Sequence, residues 1–191
     1  LFLDTEYWGF SVQPSLFPGG PDRSPAILAL ADGTVFKGVS IGASGHSVAE
    51  VVFHTAMTGQ QEVLTDPSYR SQIVSFTYPH IGSTGINDED IESDNIQVAG
   101  LVIRDCPQQV SNFRSTMSLP DYLQKNGIVA ISGVDTRKLT RILRDGGAQG
   151  ACIMVGEDAE RAIALAREFH GIENQELVTQ VTCDNIYPWN Q

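Results

Sequence analysis

The pattern of hydrophobic positions divides the chain into a strand-rich first part and a second part in which strands and helices alternate. Apolar and β-branched runs predict strands in the first part, and they lie at residues 26–31, 34–39, 51–55, 73–78 and 95–104. Asp32-Gly33 separates the first two runs, which indicates a β-hairpin. Polar loops follow the runs at 51–55 and 73–78, so binding groups are expected at one rim of a sheet.

From Ser118 onward, capping residues and glycine stops predict three helices. Each helix starts at a Ser or Asp whose side chain can accept from free backbone N–H groups, and Gly127 and Gly146-Gly147 fit the first two stops. The predicted helices span 118–125, 135–145 and 158–169, and the strands between them span 128–131 and 152–155. A shorter helix is expected at 60–64, before an Asp-Pro turn at 65–69.

These elements predict a mixed α/β domain with two sheet regions and helices packed on one side. The domain is expected to cover residues 25–172. Residues 1–24 are aromatic and lack periodicity, and we interpret them as a leader of uncertain origin. Residues 173–191 also lack a clear period and are interpreted as a truncated linker.

Composition narrows the class of protein. The chain has 191 residues, is 41% hydrophobic and carries a net charge of −11. That charge argues against nucleic acid or an anionic membrane as a partner. Three scattered cysteines, Cys106, Cys152 and Cys183, indicate reduced thiols in a cytoplasmic protein. No apolar run approaches the length that a membrane-spanning helix needs.

The residues themselves form no complete catalytic set. There is no nucleophile elbow, no metal-ligand spacing and no phosphate-binding glycine loop, so catalytic residues and metal ligands are both predicted to be none. Cys152 is expected to be a small core residue. His80 is expected to be a rim histidine bonded to a backbone carbonyl. The acidic run at 87–94 is interpreted as a solvated surface loop rather than a calcium site.

One helix carries a distinctive charge pattern. In the helix at 135–145, Arg137, Arg141 and Arg144 share one side, opposite an apolar stripe. Arginine suits bidentate contacts to carboxylates, so these three residues are a candidate partner interface for an acidic protein. The alternative is a solvated face favoured by the helix dipole. The pattern leaves both interpretations open.

A family resemblance goes further than these arguments. The stretch EVVFHTAMTGQQEVLTDPSYRSQIVSFTYPHIG at 50–82 closely resembles the N-terminal domain of the small chain of glutamine-dependent carbamoyl-phosphate synthases. The motifs GLVIR at 100–104, SNFR at 111–114 and VDTRKLTR at 134–141 are similar to the same family. The resemblance covers about residues 25–171, in order and nearly without gaps.

The resemblance implies a swivelling β/β/α domain that packs on a large chain and works with a C-terminal class I glutamine amidotransferase domain. In the family, that second domain hydrolyses L-glutamine, and the ammonia serves carbamoyl phosphate synthesis for arginine and pyrimidines. ATP and magnesium are expected on the large chain, with no cofactor in this segment. The enzyme is an ATP-dependent ligase, and this segment by itself is expected to be inactive.

Ser68 is the site residue that the resemblance assigns. It matches the serine of the family motif L-T-D-P-S-Y, which contacts glutamine without entering the chemistry. Ala49, His54 and Gln60 depart from the usual family residues, and changed loop packing is the expected consequence. The alternative hypothesis is a stand-alone, non-catalytic interaction module that docks an acidic partner through the arginine-lined helix.

Overall fold

In the computed structural model, residues 24–172 and 176–182 are described. The predicted leader, apart from Ser24, lies outside these residues. So do Cys183 and most of the predicted linker.

Strands and helices follow one another largely as the capping and periodicity signals predict. The strands are β1 (Pro25–Leu30), β2 (Val35–Ser40), β3 (His46–His54), β4 (Gln72–Phe76), β5 (Gly100–Val102), β6 (Val129–Ser132) and β7 (Gln149–Val155). The helices are α1 (Gln60–Thr65), α2 (Leu119–Lys125), α3 (Thr136–Gly146), α4 (Ala159–Glu168) and α5 (Val178–Val181). A single 3₁₀ turn, Pro67–Tyr69, stands between α1 and β4.

The strands form one closed barrel in the order β1-β2-β6-β5-β4-β3-β7. The four neighbours β3, β4, β5 and β6 run parallel, and the remaining pairs are antiparallel. The barrel closes tightly between β2 and β6, where a Cβ on Gly38 would collide with the backbone carbonyl of Ser132. Because β3, β4, β5 and β6 run parallel, their carboxyl ends meet at one edge of the barrel.

Inward-facing residues of all seven strands form the main core, which includes Leu28, Val51 and Ile153. Leu139 and Leu143 of α3 join this core, so α3 packs against the barrel interior at one end. Helices α1 and α2 pack on the outer surface beside β4 and β5, and α4 packs outside β1 and β7. Alternation of inward and outward side chains along each strand produces these separate layers.

The predicted mixed α/β class, with helices on one side of the sheet, is confirmed, because α1, α2 and α4 pack on the outer surface of the barrel, while α3 packs at one end of it. The two expected sheet regions are joined into one. The strand predicted at 95–104 is regular only over Gly100–Val102, and residues 95–99 cross the outer surface instead, where Gln97 bonds to the Leu64 carbonyl at 2.8 Å. Helix α5 was not predicted, since its four residues are too short to show a period.

Candidate functional site

The turn that carries Ser68 is held by its own backbone and by Asp66. The Asp66 carboxylate accepts from the Ser68 N–H at 2.8 Å, as expected for an Asp-Pro turn. The Tyr69 N–H donates to the Asp66 carbonyl at 3.0 Å, and the Arg70 N–H donates to the Pro67 carbonyl at 3.0 Å. Ser68 itself is exposed, and its hydroxyl has no hydrogen-bond partner among the described residues. The turn therefore presents a free hydroxyl on a fixed backbone.

His54 and Tyr69 form a second support beneath this turn. His54 Nδ1 lies 2.8 Å from the Tyr69 hydroxyl, and the His54 ring meets the rings of Tyr69 and Phe76 edge-on. Burial lowers the pKa of His54, against a smaller opposing effect of the Asp66 charge. Burial also raises the pKa of Tyr69, and Asp66 adds to that shift. Both groups are therefore held neutral, as suits an uncharged hydrogen bond.

The chain between the turn and β4 is anchored to residue 97 of the neighbouring loop. The Ser71 N–H donates to the Gln97 carbonyl at 3.1 Å, and Arg70 Nη1 donates to the Gln97 side chain at 3.2 Å. Ser71 adopts a φ of 61°, the left-handed conformation that non-glycine residues rarely take. A conformation of this kind persists only where surrounding contacts enforce it, so the position of the turn is closely determined.

The loops after β3 and β4 lie together, as expected for parallel neighbours. Gln60, at the start of α1, is buried and bridges them: its side chain accepts from the Gly82 N–H at 2.7 Å and donates to the Gly85 carbonyl at 3.0 Å. Gln60 is one of the three departures from the family pattern, and this bridge is its packing role. Ser68 lies elsewhere, on the amino-terminal side of β4, so it is not part of this rim.

The arginine side of α3 is present as the sequence predicts. Asp135 caps the helix by accepting from the Lys138 N–H at 2.9 Å. Leu139 and Leu143 are buried, whereas Arg137, Arg141 and Arg144 are exposed. No residue within 24–172 or 176–182 covers this face.

The three arginines line a groove of about 820 Å³ together with a fourth, Arg104. Arg104 follows β5, and Thr77 and Pro79, which also line the groove, follow β4. The remaining lining residues are Thr136 and Thr140 of α3. The groove therefore lies at the carboxyl edge of the parallel strands, the edge at which open α/β sheets bind their ligands.

Only one of these four arginines forms an ion pair among the described residues. Arg144 Nε contacts the Asp145 carboxylate at 2.8 Å, with both side chains largely exposed. That contact lowers the pKa of Asp145, and the nearby charge of Arg141 adds to the effect. Arg104, Arg137 and Arg141 have no ionic partner within the described ranges. The groove can therefore attract negatively charged groups.

One expectation about polar loops needs correction. His80 bonds the side chain of Asp105, with Nδ1 2.9 Å from Oδ2, rather than a backbone carbonyl. The carboxylate lies close because the backbone of residue 81 bonds to that of Asp105 at 3.1 Å. The acidic loop is largely exposed at the surface, as expected, and Arg114 contacts Glu89 at 2.7 Å and Asp90 at 3.0 Å. The side-chain bond from Asn87, more than Arg114, lowers the pKa of Asp90.

The described residues offer little for nucleophilic or metal chemistry. Cys152 is buried within β7, as predicted, and burial raises the pKa of its thiol to about 11. No group of three or more potential metal ligands occurs within 24–172 and 176–182. In the same residues, no helix has the length and apolar character needed to cross a membrane.

Some functional features could not be seen in the sequence pattern. Arg104 joins the groove through strand pairing, since it lies 33 positions before Arg137. The bond between His54 and Tyr69 depends on a βαβ crossover. The only signal for Arg104 was the family motif at 100–104 that contains it. The bond of His54 had no signal, because His54 departs from the family pattern.

Comparison with known proteins identifies the family. The family model described as "Carbamoyl-phosphate synthase small chain, CPSase domain" matches residues 28–153. The curated carbamoyl phosphate synthase small chain of Pseudomonas aeruginosa is 59% identical over 167 residues, covering 86% of this chain and 44% of that protein. The small chain of Ralstonia nicotianae is 57% identical over 172 residues, covering 90% of this chain and 46% of the relative.

The chain belongs to the carbamoyl-phosphate synthase small chain family and corresponds to its N-terminal CPSase domain. The small chain of Thioalkalivibrio sulfidiphilus, 59% identical over 169 residues, gives the same coverage pattern, with 88% of this chain and 45% of the relative. The chain thus spans less than half the length of the curated relatives it matches.

Proposed function

We propose that this chain is the part of a carbamoyl-phosphate synthase small chain that docks on the large chain and completes the glutamine site of an amidotransferase domain. It acts within a cytoplasmic, ATP-dependent ligase that makes carbamoyl phosphate for arginine and pyrimidine synthesis. By itself the segment is inactive. ATP and magnesium belong to the large chain.

The observation that carries this proposal is the Ser68 turn. Its sequence matches the family motif in full, and its hydroxyl is exposed on a backbone held by Asp66 and Gln97. A hydroxyl both donates and accepts, so it can bond the carboxylate or the ammonium group of glutamine. His54 bonds Tyr69 rather than Ser68, and the Asp66 carboxylate accepts from the Ser68 N–H, so no general base among the described residues is hydrogen-bonded to the hydroxyl. Ser68 suits a binding role.

A chimera tests the role of Ser68. In it, residues 24–172 replace the matching segment of the Pseudomonas aeruginosa small chain, and the protein is assembled with the large chain of that bacterium. Ser68→Ala removes one hydrogen bond to a charged group of glutamine, an interaction of about 1.5–3 kcal/mol. The KM for glutamine is expected to rise about 10- to 150-fold, while synthesis from added ammonia is unchanged.

Ser44→Ala is the matched control, because Ser44 is also an exposed loop serine and belongs to the loop between β2 and β3 rather than to the turn. It should leave the KM for glutamine unchanged. An unchanged KM in Ser68→Ala, or an equal loss of the glutamine- and ammonia-dependent rates, would contradict the binding role.

The second candidate is a stand-alone, non-catalytic module that docks an acidic partner through the arginine-lined helix. The open arginine face of α3 is the observation that favours it. Mixing the chain with the large chain at micromolar concentrations and measuring complex formation by analytical ultracentrifugation separates the two. A complex supports the synthase role, and its absence favours the module.

A further inference from the structure

We infer that the arginine groove, formed by Arg104, Arg137, Arg141 and Arg144 with Thr77 and Thr140, receives a carboxylate-rich segment of the synthase large chain. This inference rests on the proposed function and assigns the docking surface within it. Side chains from three separate parts of the fold converge in this groove: Thr77 follows β4, Arg104 follows β5, and the others lie on α3.

Charge availability is the first argument. Arg104, Arg137 and Arg141 form no ion pair among the residues that the structure describes, whereas Arg114 contacts two carboxylates. The chain carries 23 acidic residues against 12 basic ones, so acidic side chains are plentiful. A groove with three unpaired arginines on such a chain attracts an external acidic group.

Rigidity is the second argument. Leu139 and Leu143 fix α3 to the barrel core, Asp135 caps its start, and the Gly147 N–H closes its end on the Leu143 carbonyl at 2.9 Å. The guanidinium groups therefore project from a helix that does not need to form on binding. Such preorganisation lowers the entropic cost of docking.

Spacing and chemistry indicate the occupant. Arg137, Arg141 and Arg144 follow one another at rises of about 6 and 4.5 Å along a helix. Acidic residues at alternate positions of an extended segment are about 6.6 Å apart, a similar spacing. Arginine binds carboxylates in a bidentate fork. The open groove of about 820 Å³ can accommodate an extended peptide segment bound along its length. The net charge of −11 argues against a nucleic acid as the occupant.

The test measures the affinity of the full 191-residue chain for the Pseudomonas aeruginosa large chain by biolayer interferometry. The double variant Arg137→Glu/Arg141→Glu should bind at least about 30-fold more weakly than the wild type, the effect expected for charge pairs buried in an interface. Arg141→Lys keeps the positive charge but cannot make the bidentate contact of a guanidinium group, so a smaller loss of affinity is expected. Both arginines are exposed, so the variants should unfold at the wild-type temperature.

Arg161→Glu is the matched control, because Arg161 is an exposed arginine on α4, outside the groove. It should bind like the wild type. If the wild type binds and the double variant binds equally well, the groove inference is overturned while the proposed function stands. If the wild type does not bind, both are overturned. Stabilisation by millimolar pyrophosphate, without any loss of docking in the double variant, would instead make the groove a small-anion site.

Discussion

The Ser68 turn and the arginine groove flank the same strand, β4, and are built in opposite ways. The turn precedes β4 and presents one neutral hydroxyl on a backbone whose N–H groups donate to Asp66 and Gln97, with Tyr69 bonded to His54. The groove begins just after β4 and presents unpaired charges whose positions depend on long-range packing of α3. The comparison teaches that the proposed substrate contact and the proposed docking surface are built differently. Hydrogen bonds fix the backbone of the turn, whereas the groove presents free charge on a packed helix.

The largest expected effect comes from removing the scaffold beneath the groove. Leu139 is fully buried in the main core, so Leu139→Ala should lower the free energy of unfolding by about 2–5 kcal/mol. Urea denaturation measures it. Ile142→Ala, at a partly buried position on the same helix, should cost less. Equal losses in the two variants would show that α3 is not fixed through the core.

Removing one capping carboxylate from each region, in Asp66→Ala and Asp135→Ala, tests whether the Ser68 turn and the groove are independent. Asp66 caps the Ser68 N–H at 2.8 Å and Asp135 caps the Lys138 N–H at 2.9 Å, so either Asp→Ala change should cost about 1 kcal/mol of stability. In the chimera, only Asp66→Ala should raise the KM for glutamine. A similar KM change in Asp135→Ala would indicate that the turn and α3 are coupled.

A smaller effect is expected on the pH dependence of stability, and it should come from His54 beneath the Ser68 turn rather than from the groove. Burial lowers the folded-state pKa of His54 below its ordinary value, so the unfolded chain binds more protons and stability falls as pH decreases. The loss should begin near pH 6.5, the ordinary value for histidine, and continue downward. Thermal melts between about pH 7.5 and 5 should show a shallower slope in His54→Asn than in the wild type.

His170→Asn, at an exposed position after α4, is the control for that measurement and should retain the wild-type slope. Below about pH 4 a second loss is expected in every variant, because Asp90 and Asp145 have lowered pKa values and become protonated there. An identical slope for the wild type and His54→Asn above pH 5 would contradict the neutral role of His54.

Local features of the fold were predictable and long-range ones were not. The starts of α2, α3 and α4 were identified because Ser118, Asp135 and Asp158 cap them through neighbouring backbone groups. Closure of the barrel was missed, since the pairing of β1 with β7 joins residues more than a hundred positions apart. No periodicity reports such a contact.

In the two candidate sites, too, local features were predictable from the sequence and long-range features were not. The arginine stripe of α3 was visible because helical spacing is local, whereas Arg104 enters the groove only through the tertiary fold. The importance of Ser68 came from family resemblance, because an exposed serine in an Asp-Pro turn has no distinguishing physical signature. The hydrogen bond between Tyr69 and His54 spans a crossover and was equally hidden.

The most direct measurement compares Ser68→Ala and Arg141→Glu in one preparation of the chimera, with affinity for the large chain and KM for glutamine determined side by side. The account predicts a double separation. Ser68→Ala raises the KM and leaves the affinity unchanged, whereas Arg141→Glu weakens the affinity and leaves the KM unchanged at saturating large chain. If both variants shift both quantities together, the chain does not carry two separate sites, and the account is contradicted.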